Sequence, residues 1–208
     1  MPIYLPEHQV GFDPALVGYP TLGDCMAVAL LTTRGIYGYH YTPAPITQVA
    51  QFAQYITNNL VGGETFLRLY GSCFWKRRYV IDPTGGWRTE MTNIANAINF
   101  HGRVTGFDTS ASSHTAQNET TYLEYRNVGN KCQIFYKRSE KMMFYKPKMD
   151  AMPGVQRIIP DRLVYGQYQM INPTEQKNIY GAMVDTSKSS SGTMHEAGFS
   201  GKHSFDIP

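Results

Sequence analysis

Several features that define common protein classes are absent from this chain. Its 208 residues include only three cysteines, at positions 25, 73 and 132, too few and too scattered for a disulfide framework. No C-x-x-C pair and no cluster of histidine and cysteine has the spacing of zinc ligands, so we expect no metal site. The phosphate-binding and dinucleotide-binding glycine motifs and the H-E-x-x-H motif are also missing, so we expect no cofactor.

Long apolar runs and strong charge are missing as well. No segment approaches the ~20 apolar residues of a membrane helix, and the first residues show neither the basic nor the apolar part of a signal peptide. We therefore expect no membrane partner. We also expect synthesis in the cytosol, and any export would depend on signals of another kind. The net charge is only +3, with basic residues concentrated at 76–78 and 137–138, so we expect no nucleic-acid partner.

Aromatic residues are abundant, with fifteen tyrosines against two tryptophans. Together with many short apolar runs they favour strands over a helical bundle. The patterns predict strands at 25–32, 36–41, 65–70, 74–81 and 103–107, and helices at 46–60 and 89–100. They also predict a three-strand meander at 121–126, 131–137 and 141–146, and a last strand at 164–171.

The two ends of the chain are predicted to be irregular. Residues 1–23 carry four prolines and three glycines, which is typical of a lead-in segment. Beyond about residue 185, serine, glycine and threonine dominate. The apolar surface there is too small to offset an ordering cost of roughly 1 to 2 kcal/mol per residue.

The strongest candidate for chemistry is Cys25, which follows Gly23 and Asp24 and opens an apolar strand. His40 lies fifteen residues later, and a tight turn between the two predicted strands places both residues on neighbouring antiparallel strands. An imidazole within hydrogen-bond reach lowers the pKa of a thiol and later protonates a leaving group. The pair indicates a two-residue thiol catalyst, and a core cysteine beside an ordinary strand histidine is the alternative interpretation.

Three residues are candidates for the group that orients the imidazole: Thr21, Asp24 and Tyr19. Asp24 is more simply an acceptor for turn amides, because a carboxylate beside the nucleophile raises the pKa of the thiol. Backbone N–H groups at the Gly23 and Asp24 bend are candidates for an oxyanion site.

A rival constellation is Cys73, in the run Gly71-Ser72-Cys73, with His101 downstream. A long loop and a helix separate these two residues, so local geometry does not impose their proximity. Cys132 is interpreted as structural or surface. The remaining histidines are expected to face solvent; they are His8, His114, His195 and His203.

The run Thr21-Leu22-Gly23-Asp24-Cys25-Met26-Ala27-Val28, with His40 after it, resembles the Cys-His core of two families. These are the bacterial chemoreceptor glutamine deamidases (the CheD family) and the catalytic domain of cytotoxic necrotizing factor toxins. The Cys-to-His gap is similar to the toxin spacing, and the order of elements after His40 is similar to the chemoreceptor family. Tyr19 stands where that family has a catalytic threonine, and Asp24 replaces its usual serine. The third role is therefore left to Thr21, Tyr19 or a backbone carbonyl.

The resemblance implies hydrolysis of a glutamine side-chain amide on a partner protein, that is, a protein-glutamine deamidase. Cys25 is then the nucleophile, His40 the acid and base, and Thr21 the third catalytic residue. The expected substrate contacts are Tyr19, Gly23, Asp24 and Tyr41. Transglutamination results if an amine reaches the thioester before water does.

We therefore expect an α+β fold in which mixed β-sheets form a sandwich flanked by helices, similar to these two families. Residues 1–184 form the catalytic domain and residues 185–208 a flexible tail. A bacterial toxin or effector, secreted or translocated into a target cell as a virulence factor, is favoured over a cytoplasmic enzyme. The alternatives are another cysteine hydrolase, such as a peptidase or peptidoglycan amidase, and a non-enzymatic β-rich binding or structural protein.

Overall fold

The strands in the described part of the chain form two mixed sheets. The computed structural model describes residues 3–5, 7–42, 47–112, 120–139, 155–157 and 194–208. The first sheet has the spatial order β1 (Ile3–Tyr4), β3 (Leu16–Leu22), β8 (Thr120–Asn127), β9 (Cys132–Ser139) and β11 (His195–Glu196). The second has the order β10 (Val155–Arg157), β2 (Gln9–Asp13), β5 (Ile36–Tyr41), β4 (Met26–Thr32), β6 (Phe66–Cys73), β7 (Gly102–Phe107) and β12 (Lys202–Ile207).

Three α-helices in the described residues accompany the sheets: α1 (Thr47–Asn59), α2 (Trp75–Arg78) and α3 (Pro83–Ala97). Pairing is antiparallel except between β1 and β3 and between β6 and β7, which run parallel. The fold class is therefore α+β with two mixed sheets and few helices. None of the described helices is both long enough and apolar enough to cross a membrane.

Strand β4 lies at the centre of the packing, because every one of its side chains is buried. Alternate residues of a strand point to opposite faces of the sheet. Ala27, Ala29 and Leu31 share a core with the first sheet, whereas the side chains of Met26, Val28 and Leu30 share a core with α1 and α3. The two sheets thus meet across one face of β4, and the helices cover the other.

Large rings fill the space left by the two alanines of β4. The rings of Tyr19 and Tyr125 meet edge to face, with centroids 5.7 Å apart, and both side chains are fully buried. The Tyr125 hydroxyl donates a hydrogen bond to the backbone carbonyl of Ala27 at 3.0 Å. A polar contact of this kind fixes how one sheet sits on the other.

The predicted hairpin is present. Strands β4 and β5 pair antiparallel from Met26 opposite Tyr41 to Leu31 opposite Ile36. Gly35 closes the turn with a φ of +155°, which disfavours any residue with a side chain, and Thr32 N–H donates to its carbonyl at 2.7 Å. The predicted helix at 46–60 and the strands at 65–70, 103–107, 121–126 and 131–137 are also confirmed, with small shifts of their ends.

The prediction of an irregular lead-in at residues 1–23 is wrong, since this segment contains β1, β2 and β3. Two of its prolines, Pro14 and Pro20, mark a strand boundary and an irregularity rather than an absence of strands. Pro14 lies between β2 and β3, and Pro20 lies where the pairing of β3 with β8 shifts register. Val17 and Tyr19, which lie between these two prolines, are fully buried, and that burial stabilises β3.

The predicted strand at 74–81 is also wrong, because Trp75 begins the short helix α2 and stacks on Trp87 with ring centroids 4.9 Å apart. Residues 82–86 form the cap and the first turn of α3. Asp82 caps this helix by accepting a hydrogen bond from Gly85 N–H at 2.9 Å, and Pro83 occupies its first position. The predicted strands at 141–146 and 164–171 lie outside the described residues.

The prediction of a flexible tail at 185–208 is wrong for residues 194–208. Strand β11 pairs with β9, and β12 pairs with β7 along six residues to form an edge of the second sheet. The tail contains few apolar residues, but two of those in β12 pack against the rest of the chain. Phe205 packs edge to face on Trp87 at 5.4 Å, and Ile207 is buried. Residues 185–193 and the boundary with the main domain lie outside the described part of the chain.

Strand β12 offers a matched pair of substitutions that tests this packing. Phe205→Ala removes a half-buried ring, so we expect the free energy of unfolding to fall by about 1 to 2 kcal/mol. Asp206→Asn removes an ion pair with Arg103 in which both side chains are more than half exposed, so we expect less than about 0.5 kcal/mol. Urea denaturation of the full chain measures both. Two equally small effects would contradict the packing of this strand.

Candidate active site

The hairpin brings Cys25 and His40 together, as their spacing predicts. Cys25 comes directly before β4, and His40 lies on β5 opposite Ala27. Cys25 is therefore on the same face as His40 but two residues along the strand, a diagonal neighbour rather than a directly opposed one. The sulfur of Cys25 and a ring nitrogen of His40 lie within 4.8 Å of each other.

A backbone carbonyl orients the imidazole. His40 Nδ1 lies 2.6 Å from the carbonyl oxygen of Leu5. Because a carbonyl can only accept, Nδ1 carries the hydrogen, and the neutral ring has its lone pair on Nε2. Nε2 is buried and has no hydrogen-bond partner among the described residues. The ring is therefore held in the tautomer whose free nitrogen can accept a proton.

The sequence leaves open which group orients the imidazole. In the structure the group that contacts His40 Nδ1 is a backbone carbonyl, that of Leu5. Tyr19 is engaged elsewhere, since its hydroxyl donates to the carbonyl of Val28 at 2.6 Å. The backbone of Thr21 lies in β3, but its side chain lies outside the part of the chain that the structure describes.

The N-terminal segment is held against β3 at Leu5 and against β5 at His8. Leu5 N–H donates to the Gly18 carbonyl at 2.9 Å, and His8 N–H donates to the His40 carbonyl at 3.1 Å. Gly38 permits the approach, because a Cβ at that position would stand 2.7 Å from the Leu5 side chain and 2.7 Å from the Tyr19 hydroxyl. The missing side chain at Gly38 thus lets the orienting carbonyl reach His40.

Glu7 is a third member of the site that sequence reasoning missed. The Cys25 thiol donates to Glu7 Oε1 at 3.4 Å, although Glu7 as a whole is exposed and Cys25 is only 5% exposed. The carboxylate therefore lies between the thiol and solvent. Glu7 carries no local signal, because it belongs to the proline-rich segment predicted to be irregular and lies eighteen residues before Cys25.

Burial sets the protonation states of the pair. Desolvation raises the pKa of the Cys25 thiol well above its usual value. The negative charge and hydrogen bond of Glu7 raise it further, and Arg78 opposes them. Desolvation lowers the pKa of His40 to about 4, against the opposing effect of the Leu5 carbonyl. Near neutral pH the site therefore holds a neutral thiol beside a neutral imidazole, not a preformed ion pair.

Two arginines of α2 hold the residue before the nucleophile. Arg78 Nη1 donates to the backbone carbonyl of Asp24 at 2.6 Å, and Arg77 Nε lies 2.8 Å from the Asp24 carboxylate. Arg78 is itself fixed by two hydrogen bonds of 2.7 Å to Glu90 of α3. The expected acceptor role of Asp24 toward turn amides is replaced by this ion pair, and the basic run at 76–78 positions the backbone beside Cys25.

The structure separates the four predicted substrate contacts. Gly23 and Asp24 lie at the surface beside the thiol, and no described atom comes within 4 Å of where a Cβ of Gly23 would stand. Tyr19 is fully buried with its ring 6.2 Å from the ring of His40, so it forms a wall behind the imidazole and cannot contact a substrate. Tyr41 belongs to the core on the opposite face of the sheet.

Tyr41 does border a cavity, on the helical side of the second sheet. The cavity has a volume of about 400 Å³ and is lined by Tyr41, Val49, Arg78, Tyr79, Gly86, Thr89, Glu90 and Asn93. The Arg78 guanidinium lies 4.8 Å over the Tyr41 ring, and the Tyr79 hydroxyl donates to Glu90. Arg78, Tyr79 and Glu90 in this wall are thus engaged with one another, and Glu90 holds the guanidinium that contacts the Asp24 carbonyl.

The rival pair of Cys73 and His101 is not brought together. Strands β6 and β7 run parallel, with Cys73 beside Asp108 at the far end of β7, whereas His101 precedes its start. Seven residues of strand separate the two positions by about 20 Å. Cys73 is also fully buried, which favours a structural interpretation of this thiol, and Cys132 is a buried residue at the start of β9.

The histidines expected to face solvent divide between two environments. His195 and His203 are exposed, as predicted. The prediction is wrong for His8, which is buried with its Nδ1 3.1 Å from the Thr42 hydroxyl, because its segment packs over β5. His114 lies outside the described residues.

Glu7 provides a test of the site's electrostatics. Glu7→Gln removes the charge that raises the pKa of the thiol, so alkylation of Cys25 by iodoacetamide at neutral pH should become faster. Asp24→Asn should accelerate it less, because Asp24 contributes the smaller effect. Peptide mass spectrometry in a chelating buffer follows each cysteine, with Cys132 as the internal control. An unchanged or slower rate at Cys25 in Glu7→Gln would contradict this arrangement.

Comparisons with known proteins give no match. No family model matches the chain, nor does any curated protein or solved structure. The candidate site is therefore defined by the geometry of Cys25, His40 and the Leu5 carbonyl. The likeness of the motif around Cys25 to the two deamidase families stays a resemblance.

Proposed function

We propose that this protein is a cysteine-dependent amidohydrolase that deamidates glutamine side chains of a protein substrate. The observation that carries the proposal is the pairing of the Cys25 thiol with an imidazole whose Nδ1 is engaged by the Leu5 carbonyl and whose Nε2 is free. The choice of glutamine is supported by the resemblance of the motif around Cys25 to the chemoreceptor deamidases and to the necrotizing factor toxins.

The first half of the reaction transfers an acyl group to sulfur. His40 Nε2 accepts the thiol proton as the sulfur attacks the carboxamide carbon, because neither group is charged at rest. The tetrahedral intermediate collapses as the C–N bond breaks. His40 then returns the proton to the departing nitrogen, which leaves as ammonia. A thioester between Cys25 and the substrate side chain remains.

Water completes the cycle. His40 Nε2 accepts a proton from water as its oxygen attacks the thioester carbon, and the C–S bond breaks with return of the proton to sulfur. Glutamate is released and the neutral pair is restored. An amine in place of water would give a cross-linked product by the same steps, which is transglutamination.

The bend before β4 supplies room and hydrogen-bond donors for the intermediate. Backbone N–H groups beside Gly23 and Asp24 are candidates to hold the oxyanion, and Arg78 fixes this bend through the Asp24 carbonyl. The carboxylate of Glu7 must leave the thiol before a substrate can reach it. Since Glu7 is exposed, its side chain has solvent into which it can move.

The recessed position of the thiol favours a side-chain amide over a main-chain peptide bond. Cys25 is only 5% exposed. A glutamine side chain extends its carboxamide away from the backbone on a flexible arm, whereas a peptidase must admit the backbone itself. We therefore place deamidation ahead of peptidase or peptidoglycan amidase activity. Delivery as a toxin or effector is the setting we propose, on the resemblance to the toxin domains.

A lysate experiment tests this function directly. The full chain is incubated with cell lysate in a chelating buffer, beside Cys25→Ala and His40→Asn. We expect ammonia release and conversion of specific glutamines to glutamate, a gain of roughly 1 Da per site, with the wild type alone. His40→Asn is the sharper control, because an asparagine amide can still donate to the Leu5 carbonyl but lacks Nε2.

The other outcomes contradict the proposal. New peptide termini without ammonia would identify a peptidase. A mass gain that persists in Cys25→Ala would place the nucleophile elsewhere. No change in any protein, with a retained partner on affinity capture by wild type and variants alike, would identify a binding protein.

A further inference from the structure

We infer that Glu7, Cys25 and His40 form a binding site for one thiophilic divalent cation, of which Zn²⁺ is the fitting example, and that the bound ion blocks the nucleophile. The binding site stands on geometry alone. Its inhibitory role rests on the proposed function. The inference runs against the expectation from sequence that the chain has no metal site, because the three donors converge only through the fold.

The donor atoms are already gathered. One ligand atom from each of the three side chains lies within 4.8 Å of the other two, and within the described part of the chain this is the one group of its kind. The Cys25 sulfur and the Glu7 oxygen are 3.4 Å apart. Ligands around a tetrahedral zinc ion are separated by about 3.5 Å, so this pair needs little movement.

The donor chemistry suits zinc better than the hard cations. Sulfur, imidazole nitrogen and carboxylate oxygen are the three ligand types that Zn²⁺ takes in proteins, whereas magnesium and calcium take oxygen. Three protein ligands leave the fourth position to water. Glu7 is exposed, so the ion has a path from solvent to the thiol along that side chain.

His40 has the supporting contact that a ligating histidine needs. Metal-bound histidines usually donate their second ring N–H to a carboxylate or a backbone carbonyl, which fixes the ring and makes the free nitrogen more basic. Nδ1 of His40 makes this contact with the Leu5 carbonyl at 2.6 Å. Nε2 is buried without a hydrogen-bond partner in the described structure, and a bound cation would satisfy it.

The binding step involves no change of oxidation state. A sulfur–metal bond forms as the thiol proton leaves to solvent, while the lone pair of His40 Nε2 and a Glu7 oxygen fill two further positions. The sulfur lone pair and the proton-accepting nitrogen are then both occupied. Hydrolysis stops until a chelator removes the ion. The same three residues therefore alternate between a metal-free, active state and a metal-bound, inactive state.

Cobalt(II) is the probe that reports on the ligands. Full-length protein is stripped with a chelator, exchanged into metal-free buffer and titrated with Co²⁺, then with Zn²⁺ as competitor. We expect one Co²⁺ per chain, with a sulfur-to-cobalt charge-transfer band and strong visible bands of tetrahedral cobalt. The charge-transfer band should vanish in Cys25→Ser and persist in Cys132→Ser. Affinity should fall at least tenfold in Glu7→Gln and in His40→Asn.

A second measurement uses the unmutated protein, so a variant that fails to fold does not decide the matter. One equivalent of Zn²⁺ should slow alkylation of Cys25 at least tenfold and leave Cys73 and Cys132 unchanged. A charge-transfer band that survives in Cys25→Ser, or no protection of Cys25 by Zn²⁺, would overturn the inference.

The two proposals fail separately. Glutamine conversion in chelating buffer that Zn²⁺ does not inhibit would overturn the metal site and leave the hydrolase standing. Zinc bound through Cys25, with no conversion in chelating buffer, would keep the metal site and contradict both the hydrolase and the inhibitory role.

Discussion

The hydrogen bond from His40 Nδ1 to the Leu5 carbonyl is the interaction on which the site depends. It joins an N-terminal segment of the first sheet to the central hairpin of the second, and it selects the neutral tautomer with a free Nε2. Two backbone hydrogen bonds, one from Leu5 to β3 and one from His8 to β5, hold that carbonyl in place, and Gly38 leaves room for it. A backbone carbonyl does not titrate. The group that orients the His40 ring is therefore the same at every pH at which the chain is folded.

Burial gives the site a second property, a nucleophile that is protected at rest. The same low-dielectric surroundings that lower the pKa of His40 raise the pKa of Cys25, and Glu7 adds to the effect on the thiol. The thiol is thus neither ionised nor open to solvent until its surroundings change. A substrate that displaces Glu7 would expose the thiol to reaction, whereas a cation that binds Glu7 together with Cys25 would block it. This shared dependence on Glu7 links the proposed catalysis to its proposed block.

The hairpin and its two reactive residues could be predicted because they depend on local spacing. Cys25 and His40 are joined by one tight turn, and apolar and aromatic residues mark both strands. Leu5 and Glu7 could not be predicted, since their contacts span thirty-five and eighteen residues and depend on how the two sheets meet. Strand β12 was missed for a similar reason: its few apolar side chains are stabilised by Trp87, far away in the sequence.

The state of the His40 ring tests this account most directly. Nitrogen-15 NMR of the imidazole, recorded while the pH is lowered in chelating buffer, reports both tautomer and pKa. We expect hydrogen on Nδ1 near neutral pH and a titration midpoint close to 4. Hydrogen on Nε2, or a midpoint near the ordinary histidine value of about 6.5, would contradict it.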